Sequence, residues 1–445
     1  YRGHTLPEAF RGRFLCGNFL GHTSSYWDVR PRASTVAVKP NGAWLNSNDT
    51  WFGPTDLCFG PDGAVYISDF HDRRTAHPDP DAKWDRSNGR IYRVQKAGVA
   101  STRPVDVVSL PSAGLVKLLS HANGWYADRA RIEMFRRRDK AIVPELKAMA
   151  RRRDDRRMAL QGLWAVNASG GLDDAFALEM LSHPGPRVRH WTVRLLGDRR
   201  KVSRRIGLAI VDLAHRETDP VVLVQLAATA RRLSAETGLP VARELMQKPA
   251  GEADSRLPLM TWWAVEQHVA DSRAQVIGLF ETGSPLWDTR EGLGCGLRLV
   301  RRLAAEGTRA GYDACVSLLA TVPGGARAEA DKRLAQGLAE RANGLTGLGT
   351  GGLFNRFGTT EASALKRHSR KFDDLTPELA EYIGKRWSAG RDNTFWSDLA
   401  MRCRVDGSHR YARTKVADSK LPVATRARWL RLLRQYGEAD VLPLG

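Results

Sequence analysis

Residues 56–69, DLCFGPDGAVYISD, set two short runs of apolar and β-branched residues on either side of Gly60-Pro61-Asp62-Gly63. An Asp-Gly tight turn between such runs predicts a β-hairpin. Working outward, Arg90-Ile91-Tyr92-Arg93-Val94 alternates polar and apolar residues, the period of a strand. Arg13 to Phe19 and Thr35-Val36-Ala37-Val38 are two further expected strands, bounded by Gly, Pro and Asn. Short strands at this spacing suit a sandwich, a barrel or propeller blades.

From about residue 112 the texture becomes helical. Amphipathic segments that look like first helices open near Gly124, Asp155, Pro186, Pro220, Arg256 and Thr289, at intervals of 31 to 36 residues. Second helices are expected at Ala141–Met149 and Asp174–Leu181. A two-helix repeat of this length is the pattern of a HEAT-type α-solenoid, in which stacking supplies the core that one helix pair cannot make. Residues 343–352 (NGLTGLGTGG) interrupt it. No GK[ST] follows, so a flexible insertion is a better reading than a phosphate loop. Helical pattern resumes near Thr376 and closes with Leu421 to Leu433. The expected fold is mixed and mostly α: the last one or two blades of a partial β-propeller (1–110), an α-solenoid of HEAT-like repeats (111–340), a Gly-rich insertion (341–375) and further helical repeats (376–445).

Composition narrows the function classes. The 445 residues are 42% hydrophobic and 27% charged, which excludes a disordered chain, a collagen and a membrane bundle. The five cysteines form no CxxC pair, which rules out a zinc ribbon, a thioredoxin motif and c-type haem attachment within this chain. The sequence opens on Tyr1 without a signal-peptide pattern, so a piece of a longer protein is expected. Lys and Arg number 69 against 49 Asp and Glu. Residues 1–110 hold 14 against 11, so the excess belongs almost wholly to the helical part. Such an excess suits an acidic partner or simply a well-solvated set of helix faces.

Together with DLCFGPDGAVYISD, three further runs carry a resemblance: HDRR (71–74), HPDP (77–80) and WDRSNGRIYRV (84–94). This region resembles the end of the β-propeller in the large membrane-bound dehydrogenase-like proteins of planctomycetes, whose propellers are similar to soluble quinoprotein sugar dehydrogenases. Tyr1-Arg2-Gly3, LPEAFRG (6–12) and HANGW (121–125) match the flanking segments. The resemblance implies an extracytoplasmic or membrane-associated oxidoreductase, with pyrroloquinoline quinone and Ca²⁺ as cofactors and HEAT-like repeats after the propeller. The repeats would dock a protein, such as an acidic redox partner, and any membrane association would come through segments outside this chain. Two features depart from the family. A closed propeller needs at least about four blades, and the family's CxxCH haem motif is absent here. This region alone is therefore expected to be inactive.

Candidate chemistry concentrates between Asp69 and Asp85. His71 and Arg73 are the candidate catalytic pair, since an imidazole titrates near neutrality and could take a hydroxyl proton. Asp79 and Asp81 are candidate Ca²⁺ ligands, because that ion takes about six to eight oxygens. The competing expectation is structural: a strand-joining loop, with Asp69, Asp72, Arg73 and Arg86 as an ion-paired network. Trp191, Trp262 and Trp263 are expected in the helical core. Residues 131–160 carry eleven positive and five negative side chains. Without interleaved aromatics, that run reads as a solvated face and disfavours nucleic-acid binding. The runner-up to the oxidoreductase reading is a non-enzymatic HEAT-repeat scaffold whose basic face binds an acidic protein or polyanion.

Overall fold

The computed structural model describes residues 1–72, 87–99, 103–248, 254–342 and 375–436. Among these, eighteen α-helices follow two small antiparallel sheets near the N-terminus, a mixed and mostly α composition. The Gly-rich 343–352 run lies outside the described residues.

The first sheet has the order β1 (Phe14–Asn18), β2 (Thr23–Arg32) and β3 (Thr35–Asn46), and the second β4 (Pro54–Phe59), β5 (Val65–Asp69) and β6 (Arg90–Val94). The expected hairpin is β4–β5, with Leu57 opposite Ile67 and Phe59 opposite Val65. Its turn closes through Gly60 N–H to Ala64 O at 3.0 Å and Gly63 N–H to Gly60 O at 2.9 Å. Gly63 has φ +80°, and a Cβ there would sit 2.5 Å from His4 Nδ1, so both backbone and space demand glycine. Asp62 pins the turn: its carboxylate accepts from Ala64 N–H, Tyr66 O–H and Arg93 Nε at 3.1, 2.9 and 2.7 Å. Phe52, Val65 and Ile67 form the buried centre, packed by Tyr1, Leu15, Trp44 and Tyr92.

Strand β2 was not expected, and β3 runs eight residues past Val38 to Asn46. Two register shifts break the alternation in β2, at Ser24/Ser25 and Ser25/Trp27. Bulges of this kind erase the period-two signal. Pro40 is tolerated because β3 is an edge strand.

The chain divides into two compact units, Tyr1–Val241 with Ala250–Met260, and Ala242–Pro249 with Thr261–Gly445. The first unit holds both sheets and helices α1 (Ser112–Leu118), α2 (Gly124–Arg137), α3 (Val143–Ala150), α4 (Arg156–Ala168), α5 (Asp174–Leu181), α6 (Pro186–Asp198), α7 (Arg204–Arg216) and α8 (Pro220–Ala230). The expected starts coincide with helix N-termini because each carries a stop for the preceding backbone. Asp155 and Asp219 accept from Met158 N–H and Val221 N–H, and Pro186 and Pro220 occupy first-turn positions. Helices α2, α4, α6 and α8 pack in succession, and α5 packs on both α6 and α7. Gly162 lets α4 approach α3 closely; a Cβ there would lie 2.5 Å from Ala150 N.

In the second unit, α12 (Arg290–Glu306) is capped by Thr289 and packs against α13 (Arg309–Thr321) and α14 (Arg327–Ala342). Four helices follow: α15 (Pro377–Ser388), α16 (Thr394–Arg402), α17 (Ser408–Ala417) and α18 (Val423–Gln435). The last three share a core of Met401, Ala412, Val416, Trp429, Leu433 and Tyr436. Among the described residues no helix is long and apolar enough to cross a membrane.

Two histidines make the first unit acid-sensitive. His183 accepts from Gly185 N–H at Nδ1 (3.0 Å), so its proton resides on Nε2 and faces Arg152 O at 3.2 Å. Burial lowers its pKa below the usual histidine value, and desolvation does the same to His190. The unfolded chain binds a proton near pH ~6.5 that the folded chain resists. Their stability contribution is therefore intact above that pH and is lost as the pH falls toward the depressed folded values. The thermal unfolding midpoint should drop between about pH 7 and 5.5. His183→Gln, which keeps an acceptor for Gly185, should flatten that slope; an unchanged slope would refute the assignment.

Candidate functional site

Asp69 ends β5, and its Oδ1 accepts from Gly53 N–H at 2.7 Å and His71 N–H at 2.9 Å. That pair of hydrogen bonds turns the chain sharply, and His71 adopts the left-handed region at φ +44°. Its ring then lies 5.6 Å from the Trp51 ring, with Nε2 at 3.1 Å from Asp49 Oδ2. Arg90, at the start of β6, donates to the same Asp49 oxygen at 3.1 Å. Trp51 N–H donates to Asp49 Oδ1 at 2.9 Å. That amide is the largest cause holding the Asp49 carboxyl below its ordinary range, with His71 and Arg90 adding to it.

His71 thus belongs to an Asp49–His71–Arg90 cluster that ties the 46–53 loop to both ends of the β5–β6 connection. Only 6% of His71 is exposed, and Nδ1 is enclosed with no hydrogen-bond partner among the described residues. The carboxylate occupies the nitrogen that would have to reach a substrate, which weakens the case for an exposed base. Arg73, Asp79, Asp81 and Arg86 lie outside the described residues, so the other half of the candidate pair, both candidate Ca²⁺ ligands and half of the expected arginine network have no described position. Asp69 Oδ1 is held by backbone amides, and Oδ2 has no partner among the described residues.

Sequence reasoning passed over Asp49 and Arg90. Asp49 sits in a polar turn (NSND, 46–49) with no periodic signal, and Arg90 reads as an ordinary strand residue. No group of three or more His, Cys, Asp or Glu side chains is placed to hold a metal ion among the described residues. The buried thiols offer no nucleophile either: desolvation pushes Cys295 and Cys315 up to about 12 and raises Cys403 as well.

A second constellation joins the sheets to the helices within the first unit. Asn123, fully buried, caps α2 by accepting from Trp125 N–H at 3.1 Å. Its Nδ2 donates to Gly60 O and Pro61 O at 2.9 and 3.0 Å, the two carbonyls of the hairpin turn. Gly124 N–H to Arg2 O (2.9 Å) and Arg11 to Ala122 O (2.8 Å) reinforce the joint. Many of the excess cations serve similar structural ends. Lys140 donates to Ser169 O and Gly170 O, Arg199 to Leu172 O, and Arg137 to Val108 O and Leu110 O. Lys140 satisfies orphan carbonyls at the C-terminus of α4 and complements its dipole, whereas Arg199 and Arg137 satisfy carbonyls of the segments that lead into α5 and α1.

Residues 1–98 match the family described as Domain of unknown function (DUF7133). Comparison with curated proteins returned no match.

Proposed function

We propose that this chain is the propeller-to-solenoid region of a quinoprotein sugar dehydrogenase-like oxidoreductase, active outside the cytoplasm, in which HEAT-like repeats serve as a docking scaffold. The observation that carries the scaffold half is the Asn123 joint. A hairpin turn and a helix cap share one buried side chain, so the first helices are held rigidly on the sheets. A scaffold that positions a partner relative to a catalytic β part needs such a joint. The oxidoreductase half is supported by the sequence resemblance, and the family match falls on the same strand-bearing segment.

The test is sugar-dependent reduction of an artificial dye by the natural full-length protein with pyrroloquinoline quinone and Ca²⁺ added. Activity is expected there. His71→Asn, which also tolerates positive φ, should lower kcat at least about hundredfold if His71 moves the substrate proton. Unchanged kcat would remove His71 from catalysis. A second reading is a purely non-enzymatic repeat scaffold. The occupied Nε2 and enclosed Nδ1 of His71 favour it, and absence of any dye reduction by the full-length protein would select it.

A further inference from the structure

Three tryptophans and five arginines lie on α2, α4 and α6, which pack in succession. Trp125 and Arg129 stack within α2, the guanidinium 5.1 Å from the ring centre. Arg131 lies 5.2 Å over Trp164 of α4, which meets Trp191 of α6 edge-on at 5.0 Å. Arg194 lies 5.2 Å over Trp191. Arg157 and Trp164 are seven residues apart on α4, as are Arg187 and Arg194 on α6, so each pair shares one helix stripe. The three indoles are half-buried, whereas Arg129, Arg157, Arg187 and Arg194 are exposed.

Two acids of this region are already matched. Asp128 is bound by Arg2 and Arg131, and Asp198 by Arg232. Arg129, Arg157, Arg187 and Arg194 have no acidic partner among the described residues; the one hydrogen bond of the four is Arg157 to His121 O at 3.5 Å. We propose that this row is a docking face for an acidic protein segment, whose carboxylates are received by these four arginines.

Three features favour carboxylates on a peptide. An arginine held over an indole, as Arg129 and Arg194 are at 5.1 and 5.2 Å, loses little rotamer freedom on binding and presents a planar fork that suits carboxylate recognition. Each indole already carries an arginine, and Trp164 meets Trp191 edge-on, which leaves less ring surface for the base stacking that single-stranded nucleic acid would require. Neighbouring packed helices are spaced about 8–10 Å apart, close to the rise of three extended residues at about 3.3 Å each. An extended segment with an acidic residue at every third position would present one carboxylate per helix. The inference shares the docking idea of the proposed function but not its catalytic half, and a binding measurement tests it without any turnover.

The probe is a fluorescein-labelled peptide of repeated Glu-Gly-Ser triplets, titrated with the full chain by anisotropy at low ionic strength. Binding is expected, with no binding of the matching Gln-Gly-Ser peptide and weaker binding of a labelled oligo-dT of equal charge. The R129Q/R157Q/R187Q/R194Q variant should weaken it at least about tenfold. Removing four exposed cations elsewhere (R290Q/R309Q/R410Q/K420Q) should change it less than about threefold. R129K/R194K keeps the charge and the helix but loses the flat fork, and should fall between. Equal losses in the two quadruple variants would reduce the effect to net charge and overturn the proposal. Unaltered binding in the row variant, no binding of the acidic peptide, or tighter row-dependent binding of oligo-dT would each overturn it as well.

Discussion

Replacing Asn123 should destabilise the first unit by more than a surface residue ever could, and the order of the variants should report why. Asn123→Ala removes the cap of α2, which costs about 1 kcal/mol. It also strips Pro61 O of its donor, while Gly60 O keeps Gly63 N–H. Pro61 O is partly buried, and leaving it unsatisfied adds up to about 1–3 kcal/mol. A loss of about 2–4 kcal/mol corresponds to roughly 4–16 °C in Tm for a unit of this size. Asn123→Ser should retain the cap and fall less. Asn123→Asp also retains the cap acceptor, but it turns a carboxylate toward two carbonyl oxygens in a fully buried place. It should be the worst of the three at neutral pH and recover partly on acidification, because a protonated carboxyl can donate to one of those carbonyls. Thermal unfolding of the full chain, followed by circular dichroism at two pH values, gives the ranking. Equal midpoints for the Asp and Ser variants would remove the joint as an explanation.

The legible parts of this molecule were those with local causes. Helix starts at Gly124, Pro186 and Pro220 carry their own caps and prolines, and the 60–63 turn carries its Asp-Gly pair. Long-range causes left no mark in the sequence. Thr23–Arg32 became a strand because two neighbours supplied hydrogen bonds, despite a bulged register and Pro31. Trp164 and Trp191 are twenty-seven residues apart, so their contact depends on how two helices stack. The interleaving of aromatic and basic residues that looked absent along the 131–160 run is present across helices. Trp191 is accordingly half-exposed and Trp263 is 38% exposed, where both were expected in the core; Trp262, 8% exposed, is in it. His71 was found by composition, whereas its partners Asp49 and Arg90 come from loops and strands that meet only in three dimensions.

The other large effect is expected at Arg189 and Glu217. Arg189 Nε and Nη2 grip the two Glu217 oxygens at 2.7 and 2.9 Å, a bidentate pair between α6 and the segment before α8. The Glu217 side chain is 3% exposed and that of Arg189 15%. Glu217 further accepts from Thr218 and Asp219 N–H, while Arg189 donates to His183 O and Pro184 O. Burial alone would raise the Glu217 carboxyl; the guanidinium and the two amides outweigh it and hold it below its usual value. Arg189→Met leaves that carboxylate buried with no counter-charge, and removal of one partner from such a pair costs about 3–5 kcal/mol. Glu217→Leu should cost less, since Arg189 keeps two carbonyl acceptors. The double variant should recover much of the loss, because neither charge then remains uncompensated. In pH terms the pair stabilises above the ordinary glutamate value near ~4.3, and that contribution disappears as the pH falls through the lower folded value. A double-mutant cycle measured by urea unfolding at neutral pH decides the case. Additive losses would show the two side chains to be independent, and the bidentate pair would then contribute nothing of its own.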